Sequence, residues 1–267
     1  MTRQAYVLEN NNLVVYWSPK AACTTVVNQI FYEVLGLNDR DINGSKSDAR
    51  GYLGQNYQKN ALQSMNYCKN KGFTSIGLIR EPYDRLISAY INKFVNYHGN
   101  DIDEECKLEP FALNFYRNVL LKEGIVERDS GGYKGVSFKQ FVNGVCHVID
   151  SNVQGEPSLD HHWNTQIPFL YREHDFKYDY LFELSDTDAF FEKLGELTGT
   201  KLNNKKLNVS SYSEVSVNED FTDLSSLDLQ DESGLSKENL SNSTLREKVL
   251  KSFAIDYLYL RSYGYDY

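Results

Sequence analysis

Cysteine is scarce in this chain, and its spacing excludes two classes of protein. Four cysteines occur among 267 residues, at Cys23, Cys68, Cys106 and Cys146. None belongs to a CxxC pair, so the spacing of a zinc ribbon is absent. Four cysteines in so long a chain do not indicate a disulfide scaffold. We therefore expect free thiols in a reducing compartment, and no bound metal.

Long apolar runs are also absent. No stretch approaches the roughly 18 apolar residues that a membrane-spanning helix needs. Residues 1–12 contain no apolar run after their single arginine, so the sequence predicts no signal peptide. Together these absences predict a cytoplasmic protein without a membrane span.

Positive charge is in deficit. The chain has 28 lysines and arginines against 37 aspartates and glutamates, which gives a formal net charge of −9. A general nucleic-acid binder is usually basic, so this composition disfavours that class of protein. A local basic pocket for a small anion remains compatible with it, because net charge does not describe a single cleft. The oligomeric state is left open.

Short apolar strands alternate with amphipathic helices along much of the chain. Buried strands are predicted at 13–17, 73–79 and 178–184, and helices are predicted to begin near 25, 83, 137, 187 and 243. The helix that begins at 243 is predicted to run without a break to 261. A loop is predicted over residues 38–60, and a mobile insert is predicted over the polar residues 208–240. This alternation predicts one α/β domain over residues 1–267, with a central parallel sheet flanked by helices.

The first predicted strand leads into the segment SPKAACTT at residues 18–25. Small residues in this turn let the backbone approach a ligand, and Lys20 lies in the turn. Thr24 and Thr25 open a helix whose first N–H groups are unpaired and whose dipole is positive at that end. These features predict a phosphate-binding cradle, with an ordinary strand-to-helix turn as the alternative. No adjacent carboxylate marks a magnesium site.

A second strand-to-helix connection carries an arginine and a serine. Arg80 follows the second predicted strand, at the end where ligands bind in open α/β sheets. Ser88 lies eight residues further on, and together a guanidinium and a hydroxyl suit a second phosphate. The alternatives are a salt bridge for Arg80 and a helix-packing hydroxyl for Ser88. Arg85 is predicted to be structural, paired with Glu81 or Asp84.

Both segments resemble the nucleotide-binding motifs of one family. PKAACTT resembles the 5′-phosphosulfate-binding loop of sulfotransferases that use PAPS (3′-phosphoadenosine-5′-phosphosulfate). REPYDRLISAY resembles their 3′-phosphate-binding motif, close to the RDPxxRxxSx(Y/F) form of carbohydrate sulfotransferases. The resemblance implies a P-loop-like, PAPS-binding sulfotransferase fold. The donor-binding residues that it implies are Pro19, Lys20, Ala21, Ala22, Cys23, Thr24, Thr25, Arg80 and Ser88.

A third segment resembles the carbohydrate branch of that family. DHHWNTQ at residues 160–166 is similar to the (D/E)xHWxPQ segment of chondroitin and dermatan sulfotransferases. Two features depart from the family pattern: Thr165 stands where the family has proline, and residues 169–174 lack the family's cysteines. The resemblance implies a carbohydrate acceptor, and the departures leave the geometry on the acceptor side open.

The resemblance also implies a reaction. A sulfuryl group passes from PAPS to an acceptor hydroxyl and leaves PAP (adenosine 3′,5′-bisphosphate), without a metal. Lys20 is expected to neutralise the departing 5′-phosphate, while Arg80 and Ser88 are expected to hold the 3′-phosphate. His162 matches the histidine of the family's HW segment and is the expected general base, with a structural role as the alternative. His98 is the reserve candidate.

Two other functions remain open at this stage. A P-loop-type kinase that uses ATP shares the strand–loop–helix cradle, but this chain lacks the GxxxxGK(S/T) motif of such enzymes. A non-catalytic, glycan-binding relic of the same fold is the second alternative. The presence of Lys20, Arg80 and Ser88 favours an enzyme over such a relic.

Overall fold

The computed structural model describes residues 5–42, 48–97, 99–127, 132–152, 158–202, 219–230 and 235–267. The chain divides into two compact units. One, which we call the sheet unit, comprises Met1–Glu81, Gln166–Val209 and Leu258–Tyr267. The other, which we call the helical unit, comprises Pro82–Thr165 and Ser210–Tyr257. The prediction of one domain over residues 1–267 stays a prediction.

The sheet unit is organised around a five-stranded sheet. The strands of the described residues are β1 (Ala5–Leu8), β2 (Leu13–Trp17), β3 (Gln58–Lys59), β4 (Thr74–Ile79), β5 (Asn96–Tyr97), β6 (Asn100–Asp101) and β7 (Tyr180–Glu183). The sheet has the order β3-β1-β2-β4-β7, in which β2, β4 and β7 run parallel. Strand β1 is antiparallel to both β2 and β3. The predicted α/β fold is confirmed, but the sheet is mixed rather than wholly parallel.

The antiparallel edge arises from the length of one connection. Strand β1 lies where the sequence predicted no strand, and it joins β2 through the 3₁₀ turn Glu9–Asn11 and a left-handed Asn12 (φ 49°). So short a connection joins antiparallel strands only, because parallel neighbours need a long crossover. Long segments separate β2, β4 and β7 in sequence, so these three strands can pair in parallel.

Helices make up most of the remaining described structure. The α-helices of the described residues are α1 (Cys23–Asn28), α2 (Ala49–Asn56), α3 (Ala61–Lys71), α4 (Pro82–Tyr90), α5 (Pro110–Phe115), α6 (Phe138–Ser151), α7 (Phe169–Glu173), α8 (Thr187–Thr198), α9 (Ser243–Ser252) and α10 (Ala254–Ser262). Helices α1, α4 and α5 continue directly into the π-helical turns Gln29–Val34, Ile91–Val95 and Tyr116–Leu121. Within the described part of the chain, no helix combines the length and the apolar character needed to cross a bilayer.

Helix ends follow the sequence where the capping signal is strong. Ser137 and Gln140 form a capping box at the start of α6, which confirms the predicted start. Gly199 ends α8 in a left-handed conformation with φ 68°. Phe253 divides the single helix predicted over 243–261 into α9 and α10. Its backbone leaves helical geometry (φ −97°, ψ 26°) while its ring is fully buried.

The prediction of a loop over residues 38–60 is wrong. Helix α2 and strand β3 lie within this stretch. Asp48 caps α2 by accepting a hydrogen bond of 2.6 Å from the backbone N–H of Gly51. Only Ala49 and Leu53 bury their side chains in this helix, so its apolar face is narrow. So weak a periodicity gives little sign of a helix in the sequence.

The two faces of the sheet pack against different helices. Side chains of β2 alternate between these faces, as expected for a strand. Val15 and Trp17 join an apolar cluster with residues of α1, α2 and α8. Tyr16 points the other way and makes an edge contact with Tyr171 of α7, with ring centroids 5.8 Å apart. Burying each large apolar side chain contributes roughly 1.5–3 kcal/mol, so β2 is anchored from both sides.

The helical unit has its own core, centred on aromatic residues. Trp163 is fully buried, and its ring centroid lies 5.3 Å from that of Phe115 and 5.6 Å from that of Phe141. Phe94 and Phe111 also pack against it. Trp163 is therefore a core residue that fixes the segment around it.

Part of the predicted mobile insert packs into this core. Phe221, Leu229 and Leu240 are buried. The hydroxyl of Tyr83 donates a hydrogen bond of 2.8 Å to the carbonyl of Leu240. Residues 203–218 and 231–234 lie outside the described residues. Mobility over 208–240 stays a prediction.

Candidate active site

The connection between β2 and α1 has a strained backbone. The N–H of Ala21 donates to the carbonyl of Ser18 (3.1 Å) and closes a turn. Lys20 and Ala22 both have left-handed backbones, with φ of 68° and 49°. For residues other than glycine this conformation costs roughly 1–2 kcal/mol each. Such strain tends to persist where a binding site requires it.

This loop leads directly into the first turn of α1. Ala22 is the N-cap residue, and no side chain caps the helix there. The N–H of Val26 donates to the carbonyl of Ala22 (3.0 Å), so the N–H groups of the first turn have no partner within the helix. Thr25 is buried and Thr24 is partly exposed. These N–H groups and the positive end of the helix suit an anion.

Arg80 lies at the neighbouring strand end. Strands β2 and β4 are parallel neighbours, with Trp17 paired to Leu78, so their carboxyl ends lie side by side. Nη1 of Arg80 donates a hydrogen bond of 3.3 Å to the carbonyl oxygen of Lys20. The two connections that the sequence singled out are therefore in direct contact within the sheet unit.

Two side chains that the sequence analysis gave no role hold the Arg80 turn. The amide of Gln166 bonds the backbone of Arg80 twice: Oε1 accepts from its N–H (2.9 Å) and Nε2 donates to its carbonyl (2.6 Å). The buried carboxylate of Glu183 accepts from the N–H of Glu81 (2.9 Å) and of Ser185 (2.6 Å). Gln166 belongs to the DHHWNTQ segment, which was the only signal in the sequence.

In the helical unit, α4 carries Ser88 and Arg85. Ser88 is 9% exposed. Arg85 is buried, and its guanidinium donates to the carbonyl oxygens of Asn164 (2.7 Å) and His161 (2.5 Å). Arg85 therefore fixes the segment that precedes Gln166. Its predicted pairing with Glu81 or Asp84 stays a prediction.

His162 is held by a carboxylate and an aromatic ring. Its Nδ1 lies 2.6 Å from Oδ1 of Asp160, which also accepts the backbone N–H of His162 (2.9 Å). The imidazole stacks on Phe111 with centroids 5.0 Å apart and planes 12° from parallel. Burial opposes ionisation of Asp160, but hydrogen bonds from His162 and the charge of His161 outweigh it and lower the pKa of Asp160.

The ionised form of Asp160 favours one tautomer of His162, in which the ring nitrogen facing the carboxylate carries the proton. An ionised carboxylate can only accept hydrogen bonds, so Nδ1 of His162 carries the proton that faces Asp160. In the neutral imidazole, Nε2 is then the ring nitrogen that carries no proton. The side chain of His162 is 20% exposed. This is the chemistry required of a general base.

Comparisons with known proteins identify the family of the chain. A profile of the sulfotransferase family matches residues 3–266. The chain belongs to the sulfotransferase family. Within it, carbohydrate sulfotransferase 11 of Rattus norvegicus and of Mus musculus are each 23% identical to this chain over 161 residues. The protein of the same name in Danio rerio is 24% identical over 161 residues.

These relatives are considerably longer than the matched region. The match covers 59% of this sulfotransferase but 42% of each relative, so the chain spans less than half the length of the curated relatives it matches. No solved structure matches the chain significantly. The comparisons therefore establish the family of the chain.

The reserve base and the predicted absence of a metal are both left untested in this sulfotransferase. His98, the reserve base, lies outside the described residues. Asp160, His161 and His162 place one ligand atom each within 4.8 Å of one another, a set of groups able to hold a metal ion. The absence of a metal requirement stays a prediction.

Proposed function

We propose that this protein transfers a sulfuryl group from PAPS to a hydroxyl of a carbohydrate. The observation that carries the proposal is the contact between the Lys20 loop and Arg80 at the carboxyl ends of two parallel strands. A lysine and an arginine on adjacent strand ends suit a nucleotide that carries two phosphates. The family of the chain is the second support.

The donor is bound mainly by the strained loop. Lys20, the N–H groups of Cys23 to Thr25 and the hydroxyls of Thr24 and Thr25 hold the 5′-phosphate. Pro19, Ala21 and Ala22 have short side chains, so the backbone can approach the anion. Arg80 and Ser88 bind the 3′-phosphate, which distinguishes PAPS from nucleotides that lack this group.

The reaction is an in-line displacement at sulfur. The acceptor oxygen forms a bond to sulfur while the bond between sulfur and the 5′-phosphate oxygen breaks, and PAP departs with the electron pair. Lys20 neutralises the charge that develops on that phosphate oxygen. His162 takes the proton of the acceptor hydroxyl on Nε2, and Asp160 orients its ring. This scheme requires no metal.

The carbohydrate acceptor is supported by the names of the relatives and by the DHHWNTQ segment. Trp163 of that segment is a fully buried core residue, so it is not a surface for stacking a sugar. Asp160, His161 and His162 are the residues of the segment that reach solvent in part, which favours them on the acceptor side.

We also propose that the enzyme works in a reducing compartment, such as the cytoplasm. All four cysteines are free thiols, and Cys23 opens α1 directly after the donor loop, where a mixed disulfide would block the site. Fractionation of the source cells tests this proposal. Recovery of the protein from an oxidising compartment would contradict it.

Nucleotide binding and sulfate transfer together test the function. PAP should raise the melting temperature without magnesium, whereas a kinase would respond to Mg·ATP instead. Transfer of labelled sulfate from PAPS to a panel of glycans should be detectable. It should be lost in Lys20→Ala and kept in Lys251→Ala, an exposed lysine that serves as the matched control. Binding of PAP without transfer dependent on Lys20 would instead indicate a non-catalytic relic.

A further inference from the structure

Positive charge is sparse in the donor loop. Residues 21–34 contain no lysine or arginine, so Lys20 is the only cation of the loop and of the helical run that follows it. At the 5′ end of PAPS both the phosphate and the sulfuryl group are negatively charged. More charge collects on the phosphate as the bond to sulfur breaks. One ammonium group is a small counter-charge for this anion.

A second cation reaches the loop from α2. Nη2 of Arg50 lies 3.5 Å from Sγ of Cys23, the first residue of α1. The guanidinium carbon of Arg50 lies 5.3 Å from the ring centroid of Trp17, the last residue of β2. The guanidinium therefore rests against the residues that flank the loop of 18–22 on both sides.

The surroundings of Arg50 leave its charge available. The residue is exposed, and it makes no salt bridge within the part of the chain that the structure describes. Arg50 contacts a thiol and the face of an indole, neither of which neutralises a cation, and the nearby carboxylate of Asp48 attracts it without forming a salt bridge. A guanidinium stacked on an aromatic face keeps the N–H groups at its edge free to bind an oxyanion.

We propose that Arg50 binds the 5′-phosphosulfate end of PAPS together with Lys20, an inference that rests on the proposed function. The planar guanidinium matches two oxygens of a phosphate or sulfate with paired N–H donors. The N–H groups that open α1 serve the same anion. Arg50 thereby supplies the second positive charge that the loop sequence lacks.

Binding of three nucleotides to the full chain, measured by calorimetry, tests this role. Arg50→Gln is expected to weaken the binding of PAP and of adenosine 5′-phosphate by the same factor, about 10- to 100-fold, as expected when a charged hydrogen-bonded contact is lost. Adenosine 3′-phosphate should bind the variant as it binds the wild type. Arg50→Lys should recover part of the affinity. Arg40→Gln, which alters another exposed arginine of the sheet unit, is the control and should change nothing.

The outcomes separate this inference from the function on which it rests. Unchanged PAP affinity in Arg50→Gln, with wild-type binding intact, overturns the role of Arg50 alone. Equal weakening of the 3′- and 5′-monophosphates also overturns it, because the effect is then not confined to the 5′ end. A wild-type protein that binds no PAP overturns the proposed function, and this inference with it.

Discussion

The Lys20 loop and the His162 segment position their side chains by different means. In the sheet unit, side chains bind backbone groups: Arg80 donates to the carbonyl of Lys20, and the amide of Gln166 bonds the backbone of Arg80 twice. In the helical unit, the ring of His162 is oriented by the side chain of Asp160. The backbone around the donor residues is thus held by side chains distant in sequence, and the ring of the base by a side chain two residues away. Substitutions of single side chains should separate the two.

The largest expected effect is on turnover in Asp160→Asn. The amide removes the negative charge that holds the Nδ1 proton of His162, so the proton-accepting tautomer is no longer favoured. We expect kcat to fall by about 10²- to 10⁴-fold. PAP affinity should be unchanged within about twofold, because the donor contacts lie in the loop. Initial rates and calorimetry measure the two quantities.

His162→Ala is the companion to that variant. It should show a similar loss of kcat and no further loss in the double variant, because both changes disable one base. If Asp160→Asn lowers PAP affinity by as large a factor as it lowers kcat, the Lys20 loop and the His162 segment do not have separate roles.

A smaller effect is expected for Gln166→Glu. The carboxylate keeps an acceptor for the N–H of Arg80 but loses the donor to its carbonyl. We expect PAP to bind about tenfold more weakly and the protein to lose about 1–3 kcal/mol of unfolding free energy. Titration with PAP and denaturant melts check this expectation. Full PAP affinity in a destabilised variant would show that the clamp serves stability alone.

Relief of backbone strain should give a smaller change still. Glycine tolerates the left-handed backbone that Ala22 adopts (φ 49°). We expect Ala22→Gly to raise the free energy of unfolding by about 0.5–1 kcal/mol. Ala21→Gly, at a neighbouring residue without a positive φ, should lower it instead. Equal changes in the two variants would mean that strain at Ala22 is not stored in the loop.

The smallest expected effect is a pH dependence of stability. Burial raises the pKa of Asp160, but hydrogen bonds from His162 and the charge of His161 outweigh it and hold this pKa below its ordinary value of 3.8. Its ionised form therefore stabilises the fold above that pH, and this contribution disappears as the pH falls through the lowered pKa. We expect the free energy of unfolding of the wild type to exceed that of Asp160→Asn above pH 3.8, and this difference to shrink as the pH falls through the lowered pKa. A difference in the free energy of unfolding between the two proteins that widens as the pH falls would contradict this expectation.

The sequence predicted what depends on short-range signals. Strand β2 was predicted with its observed bounds, Leu13–Trp17, and the start of α6 at Ser137 follows from its capping box. Each of the two donor segments was placed at the end of an apolar strand, and the structure brings these two ends into contact through Arg80 and Lys20.

The remainder depends on contacts between residues far apart in the chain. Gln166 holds Arg80 across a separation of 86 residues, and Glu183 holds Glu81 across 102, so neither role has a local pattern. The roles of Asp160 and Arg50 likewise appear only once neighbouring atoms are placed. Strand β1 was missed because four residues near the chain start carry too little periodicity to indicate a strand.

The central claim is that Lys20 and Arg80 bind opposite ends of one nucleotide, and the ratio of PAP affinity to adenosine 5′-phosphate affinity tests it most directly. In the wild type this ratio measures what the 3′-phosphate contributes to binding. We predict that the ratio falls to about one in Arg80→Ala and is retained in Lys20→Ala, as expected if Arg80 provides the charged contact with that phosphate. An unchanged ratio in Arg80→Ala would contradict the account.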